Sequence, residues 1–241
     1  MKALLLAAGE GTRLRPVTLT TPKCLVDIGG KPLLQHWLDG LAGTRMFDEV
    51  IINTHYLAER VENFLDRCRL ELTLTRSFEA DLLGAGGTLL RHEAALMGSD
   101  FLVAHADNFS LIDWPEFLNA HETRPAGCVG TMMTFRTDDP RSCGIVELDT
   151  RGLVVQMHEK VENPPGNLAN AAVFLFSPEL FDIIRPLRGT PVVDISRDMI
   201  PLLLGRLVAF QTFGYHRDIG TVESLTTARR DFEKIQRERA E

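Results

Sequence analysis

Directly after a short apolar run, the sequence reads Ala7-Ala-Gly-Glu-Gly-Thr-Arg-Leu-Arg-Pro16 and continues to Thr20-Thr-Pro-Lys-Cys-Leu25. Two glycines bracket one residue, and glycine lets a backbone turn tightly enough to bring its N–H groups against anionic oxygens. Arg13 adds a planar fork of donors suited to a polyphosphate. A loop of this kind can cradle a triphosphate through Ala8, Gly9, Gly11, Thr12 and Arg13, with Lys23 following as a second cation. Two familiar phosphate loops are excluded: the G-x-x-x-x-G-K-[ST] spacing is absent, and Leu14 stands where the dinucleotide fingerprint needs its third glycine. The glycines alone would equally describe a strand-to-helix turn without a ligand. Thr12-Arg13 and the Pro22-Lys23 pair shift the balance toward phosphate.

Two aspartates stand out for similar reasons. Asp107 follows the apolar run Phe101 to Ala104, at the carboxyl end of an expected parallel strand, where open α/β sheets place their ligands. Asp218 lies in Arg217-Asp-Ile-Gly-Thr-Val-Glu-Ser-Leu225. Each alone would read as a turn or helix-cap aspartate. Magnesium is typically held by one or two carboxylates plus substrate phosphates, and a pair of aspartates fits that count. The seven histidines form no Ser/His/Asp or metal-ligand arrangement. Cys24, Cys68, Cys128 and Cys143 stand far apart without a CxxC pair, so they read as reduced packing residues.

The elements that must position these residues follow from periodicity. Apolar, β-rich runs at Ala3–Ala8, Glu49–Thr54, Leu70–Thr75 and Phe101–Ala104 alternate with helical patterns at Pro32–Ala42 and Ala58–Cys68, the rhythm of βαβ units. Beyond Asp107, runs at Val129–Phe135, Gly144–Leu148, Leu153–His158 and Ala172–Phe176 are joined by turns such as Asp149–Gly152. A helix near Ile195–Leu204 with Asp194 as its cap, a strand at Leu207–Phe213 and a charged helix from Val222 complete the pattern. The expected fold is α/β: a doubly wound, mostly parallel (Rossmann-like) sheet with a mixed or antiparallel half. At 241 residues one domain is the expectation. Its nucleotide half would cover about 1–110, its second half about 111–221 and its C-terminal helix 222–241.

Taken together, LLLAAGEGTRLRPVTLTTPKCLVDIGGKPLL closely resembles the signature of the sugar nucleotidyltransferase family. The DIGT segment at Asp218 is similar to the family's closing motif, with His216 in place of the usual aromatic. By this resemblance Arg13 neutralises the pyrophosphate leaving group, Lys23 holds the reacting phosphates, and Asp107 and Asp218 hold Mg²⁺. The cluster Leu83-Gly-Ala-Gly-Gly-Thr-Leu89, expected to precede a helix, is similar to a family segment that lies against the nucleotide. Gly84, Gly86 and Gly87 are then candidate contacts, with Glu79 for polar recognition of the base. Pro140–Gly152, His158-Glu-Lys160 and Asn170–Phe176 resemble the family's sugar-phosphate segments, which gives Gly144, Glu159 and Asn170 the sugar hydroxyls and Lys160 the phosphate. Cys143, Val161 and Ala172 depart from the usual Tyr, Pro and Gly.

The implied partners are a nucleoside triphosphate and a sugar 1-phosphate, with GTP and a mannose-type or heptose phosphate ahead of uridylyl or thymidylyl transfer to N-acetylmuramate or glucose phosphate. A cytidylyltransferase acting on choline or a polyol, or a regulatory module that binds nucleotide without chemistry, stands as the rival reading. A net charge of −7 argues against a nucleic-acid binder. No run reaches the roughly 20 apolar residues of a membrane span, and the first strand is too short for a signal peptide, so a cytoplasmic protein is expected. An apolar face left exposed on the last helix would point to a homodimer. The resemblance ends soon after the DIGT segment, so no hexapeptide-repeat acetyltransferase domain is expected.

Overall fold

The computed structural model describes residues 1–238; residues 239–241, the end of the expected C-terminal helix, lie outside the described residues. The chain divides into two compact units and passes between them repeatedly. The N-terminal unit comprises Leu5–Ala80, His105–Ile112 and the chain from Gly214 onward, and the central unit comprises Met1–Leu4, Asp81–Ala104 and Asp113–Phe213. Residues 81–104 thus group with 113–213, while the segment carrying Asp218 groups with 5–80.

In the N-terminal unit, strands Glu49–Thr54 and Thr73–Phe78 pair in parallel, from Glu49 opposite Thr73 to Thr54 opposite Phe78. Helix Ala58–Leu65 makes the crossover between them, as parallel pairing requires. The second strand begins at Thr73 rather than at the expected Leu70. Its ladder can start only where the partner strand starts, and the Thr73 N–H donates to the Asp48 carbonyl at 3.0 Å. Helix Leu33–Thr44 buries Leu33, Leu34, Trp37, Leu38 and Leu41 on one stripe at helical spacing.

Between the first strand, Lys2–Leu6, and that helix lie three short 3₁₀ turns, Thr12–Leu14, Val17–Leu19 and Lys23–Leu25. A hairpin then pairs Asp27–Ile28 with Lys31–Pro32. Its two-residue loop, Gly29-Gly30, has φ of +64° and +82°, the conformation that a tight hairpin demands and glycine supplies. The final helix, Val222–Glu238, returns to cover this region. Leu14, Val26, Ile28, Leu33, Phe109, Ile219, Leu225 and Ala228 form one buried cluster, and Phe232 lies edge-on to Phe109 with ring centroids 5.4 Å apart. Each fully buried Leu, Ile or Phe contributes about 2 kcal/mol, so the cluster anchors the glycine loop and the DIGT segment to the same core.

In the central unit the long strand Leu168–Phe176 is the hub. It pairs antiparallel with Phe101–His105 and with Gly130–Arg136, and meets Gly144–Leu148 at Ala169 opposite Ile145. Gly144–Leu148 pairs antiparallel with Val154–Glu159, and Leu207–Gln211 runs parallel to Gly130–Arg136. The expected turn Asp149–Gly152 joins its strands, with Arg151 and Leu153 N–H groups donating to the Asp149 carboxylate. Asp194 caps the next helical segment as expected, accepting from the Arg197 N–H at 2.8 Å. The segment opens with a π turn at Ile195–Met199 before the α-helix Ile200–Leu203.

Helix Trp114–Glu122 was not expected from the periodicity. Its signals are local: Asp113 caps it by accepting from the Glu116 N–H, and Pro115 sits in the first turn. The Leu83–Leu89 glycine cluster does not precede a helix; it forms the first turns of one, Gly84–Arg91. Close packing explains this, because a Cβ on Gly86 would lie 2.7 Å from Val193 Cγ1 and 2.8 Å from Met199 Sδ. The four cysteines are free, and no helix among the described residues is long and apolar enough to cross a membrane.

Candidate active site

The site in the N-terminal unit begins with a bend. Gly11 sits at φ +62°, and a Cβ there would lie 2.9 Å from Thr18 Cγ2 and 3.1 Å from Lys23 Cβ, so both conformation and space require glycine. The bend is held from inside by the Thr18 hydroxyl, which donates to the Gly11 carbonyl at 2.7 Å, while the Tyr56 hydroxyl donates to the Thr18 carbonyl at 2.9 Å. The other end of the loop is fixed by Asn53, whose Oδ1 accepts from the Ala7 N–H at 2.7 Å and whose Nδ2 donates to Glu79 Oε1 at 3.1 Å. Glu79 is 1% exposed, so the structure places it behind the loop as a support for Asn53. Thr12 and Arg13 stand exposed at the mouth of the bend.

The Pro22-Lys23 turn sends the Lys23 side chain inward, where its ammonium donates to Asp107 Oδ2 at 2.7 Å and to Asp218 Oδ1 at 3.3 Å. Arg13 Nη2 lies 3.8 Å from the other oxygen of Asp218. The two aspartates are brought to one ammonium by a short antiparallel ladder in which Asn108 opposes Asp218, Phe109 opposes Arg217 and Ser110 opposes His216. Asp107 immediately precedes that ladder. Gly220 completes the arrangement: a Cβ there would lie 2.8 Å from Asp218 Oδ2 and 3.0 Å from Arg13 Nη2. A cavity of about 190 Å³ is lined by Gly11, Thr12, Arg13, Lys23, Asp107 and Gly220.

The charges reinforce one another. Burial alone would lower the affinity of Lys23 for its proton, but the carboxylates of Asp107 and Asp218 outweigh it and hold the ammonium above the ordinary lysine value. Burial likewise works to raise the Asp107 carboxyl, and Lys23 with His105 more than offsets it, so Asp107 is held below the usual carboxylate value. Arg13 and Asp218 are exposed at 65% and 52%, and their long ion pair is worth little in water. The guanidinium is therefore free to turn to an arriving anion. Asp107 and Asp218 offer hard oxygen donors of the kind Mg²⁺ takes, in the number it needs when phosphates complete its shell. Among the described residues no group of three or more His, Cys, Asp or Glu side chains could cage a metal without such a ligand.

The central unit carries the remaining sequence candidates. Gly144 is the ladder partner of Glu159, and a Cβ on Gly144 would lie 2.6 Å from Glu159 Oε2, so glycine makes room for that carboxylate. Lys160 adopts φ +50°, its N–H donates to the Cys143 carbonyl at 3.1 Å, and its exposed ammonium lies 3.2 Å from Glu159 Oε1. Asn170 is one residue along from the Ala169–Ile145 pair, on the Gly144 side, so these four residues share one neighbourhood. The Asn170 Oδ1 accepts from the Ala172 N–H at 2.9 Å, closing an irregularity in the strand at which Ala172 takes φ +53°. Gly84, Gly86 and Gly87 lie apart from these four, against the Val192–Val193 segment. The N–H groups of Gly86 and Gly87 both donate to the Val193 carbonyl, at 2.8 and 3.2 Å.

Sequence reasoning missed Asn53, Tyr56, Thr18 and Gly220. Gly220 carried a visible signal as the glycine of the DIGT segment, and Thr18 as a fixed position of the glycine-loop signature. The others are single polar residues in apolar or turn contexts and acquire meaning only through hydrogen bonds that span the fold.

Residues 2–235 match the family described as nucleotidyl transferase. The chain belongs to that family. A mannose-1-phosphate guanyltransferase of Candida albicans is 32% identical over 91% of this chain and 61% of its own length. Mannose-1-phosphate guanylyltransferase 1 of Arabidopsis thaliana is 34% identical over 95% of this chain and 64% of its own. The chain therefore spans a little over three fifths of the length of these two relatives. Among solved structures, a candidate glucose-1-phosphate thymidylyltransferase from Bacillus anthracis superposes with a TM-score of 0.84 at 24% identity, covering 95% of this chain and 94% of that one. The fold is α/β and Rossmann-like, as the alternation of strand and helix patterns predicts.

Proposed function

We propose that this chain is a sugar-1-phosphate nucleotidyltransferase that condenses a nucleoside triphosphate with a sugar 1-phosphate to give a nucleoside diphosphate sugar and pyrophosphate. The observation that carries this reading is Lys23 clasped by Asp107 and Asp218 beside the Gly11 bend and Arg13. GTP and a mannose-type or heptose 1-phosphate are the substrates we favour, supported by the mannose-1-phosphate relatives.

The attacking group is a phosphate oxygen, already largely ionised near neutrality because the second phosphate pKa is about 6. No protein base is required, which agrees with a site built from cations, carboxylates and backbone donors. Ala8, Gly9, Gly11 and Thr12 wrap the triphosphate, Arg13 turns from Asp218 to the departing pyrophosphate, and Lys23 spans the reacting phosphates. Asp107 and Asp218 would hold Mg²⁺, which supplies neutralisation of phosphate charge when bound. The chain's own contribution is alignment and charge compensation, so that anions which repel in water meet in line.

In the central unit, Lys160 takes the sugar phosphate, and Gly144, Glu159 and Asn170 take sugar hydroxyls. Gly84, Gly86 and Gly87 would serve the nucleobase indirectly, through the helix start that they pack against Val193, and Glu79 acts on the nucleotide through Asn53 and the loop. Pyrophosphate release measured across the common nucleoside triphosphates and several sugar 1-phosphates tests the reading. GTP with a mannose-type or heptose phosphate should head the matrix; activity confined to choline phosphate, or none with any pair, would overturn it.

A further inference from the structure

Lys23 lies buried between two aspartates. Its side chain is 8% exposed, and its ammonium sits on one oxygen of each aspartate, 2.7 Å from Asp107 Oδ2 and 3.3 Å from Asp218 Oδ1. The remaining Asp218 oxygen faces Arg13 Nη2 at 3.8 Å. Three of the four carboxylate oxygens therefore face a protein cation, while the fourth, Asp107 Oδ1, lies 4.0 Å from His105 Nδ1. A dication placed on these oxygens would meet the ammonium at close range, and beside the 8% exposed Lys23 and 25% exposed Asp107 water screens that repulsion only in part. The four-carbon stem of Lys23 gives its ammonium reach, and the cavity of about 190 Å³ between Gly11, Thr12 and Gly220 gives it somewhere to go.

We propose that Lys23 is a resident counter-cation which competes with the divalent ion for Asp107 and Asp218 and yields when nucleotide phosphates offer its ammonium a new partner. The inference rests on the metal reading of the two aspartates. It makes metal and nucleotide binding mutually reinforcing, because each removes an obstacle to the other. Free divalent ion binds weakly, since it must displace the ammonium without compensation. The nucleotide supplies both the missing metal ligands and the anion that receives Lys23.

Binding of Mn²⁺ alone to the full chain, read by the electron paramagnetic resonance of the free ion, separates the cases. Lys23→Met should bind Mn²⁺ at least about tenfold more tightly than the unaltered chain, since a like charge this close repels by more than that even at an effective dielectric constant of about 20. Adding Asp107→Asn to Lys23→Met should abolish the gain. Equal Mn²⁺ affinity with and without Lys23, both lost on Asp107→Asn, would leave the carboxylate site standing and overturn the competition. Mn²⁺ binding indifferent to Asp107→Asn would overturn the metal reading itself, and the competition with it. Should Lys23→Met fail to fold, Lys23→Gln removes the charge while leaving a polar group beside the carboxylates and gives a second comparison. It should also bind Mn²⁺ several-fold more tightly than the unaltered chain, and an equal affinity contradicts the proposal.

Discussion

Asn108 and Asp218 are ladder partners in a short antiparallel pairing, and this pairing makes one site of two distant stretches of chain. Because Asp107 directly precedes Asn108, closing the ladder delivers both carboxylates to the Lys23 ammonium. The ladder is in turn held by Phe109 and Ile219, both fully buried in the cluster beneath the final helix. Packing at the end of the chain therefore governs charge placement at its beginning.

Lys23→Ala should abolish turnover and also destabilise the fold modestly. Removing the ammonium leaves two carboxylates facing each other without a cation, a change that costs 3–5 kcal/mol in a buried pair. Here Asp218 is half exposed, so about 2 kcal/mol is expected after solvent screening. Denaturant unfolding checks the stability, and pyrophosphate release checks the activity. An active Lys23→Ala variant would remove Lys23 from the chemistry.

Gly220→Ala should reduce kcat/KM by about tenfold or more while changing stability by less than about 1 kcal/mol, since small misplacements of aligned groups cost rate out of proportion to their size. The new methyl group would press on Asp218 Oδ2 and Arg13 Nη2. Both belong to side chains that can move, so the fold accommodates the methyl and the site does not. Steady-state kinetics with thermal unfolding separates the two effects.

Ala172→Gly should stabilise the chain by about 0.5–1 kcal/mol, because left-handed backbone carries a penalty for alanine that glycine escapes. Ala172 has φ +53° at the strand irregularity closed by Asn170. A rise in Tm of a few degrees is expected, by the usual scaling for a domain of this size. A fall in Tm would mean that the Ala172 methyl group contributes packing that outweighs the strain.

Stability should fall on acidification between about pH 6.5 and about pH 4, and His121 is one cause. Burial, reinforced by the Arg124 guanidinium, lowers its pKa from 6.5 to about 4, against the opposing pull of Asp100. The unfolded chain then binds a proton that the folded chain refuses, so the contribution is complete above pH 6.5 and is lost as pH falls toward 4. Replacing the imidazole by the neutral amide in His121→Gln should flatten the stability profile across that window. An unaltered slope would show that His121 is not responsible.

The glycine loop, the Pro22-Lys23 pair and the DIGT segment were legible because each is a contiguous run whose residue types state their chemistry. So were most strands and helices, the main strands as continuous apolar runs buried on both faces and the helices as an apolar stripe on one. The three-residue strands Asn108–Ser110 and His216–Asp218 were not legible, since alternation over three residues carries no signal and their pairing depends on contacts far apart in sequence. Glu79 could be noticed but not placed: nothing local says that it backs Asn53 instead of facing outward. The Gly84–Gly87 cluster looked like a loop because glycine weakens helices; only the proximity of Val193 and Met199 shows why a helix needs it there.

The most direct test is Mg²⁺-dependent release of pyrophosphate from GTP and mannose 1-phosphate or a heptose 1-phosphate, compared between the unaltered chain and its Asp107→Asn and Asp218→Asn variants. The account predicts a nucleoside diphosphate sugar and pyrophosphate in equal amounts from the unaltered chain. It predicts a loss of about 100-fold or more in each folded variant, as expected when charge stabilisation at a transferring phosphate is removed. Undiminished turnover in either variant would contradict it.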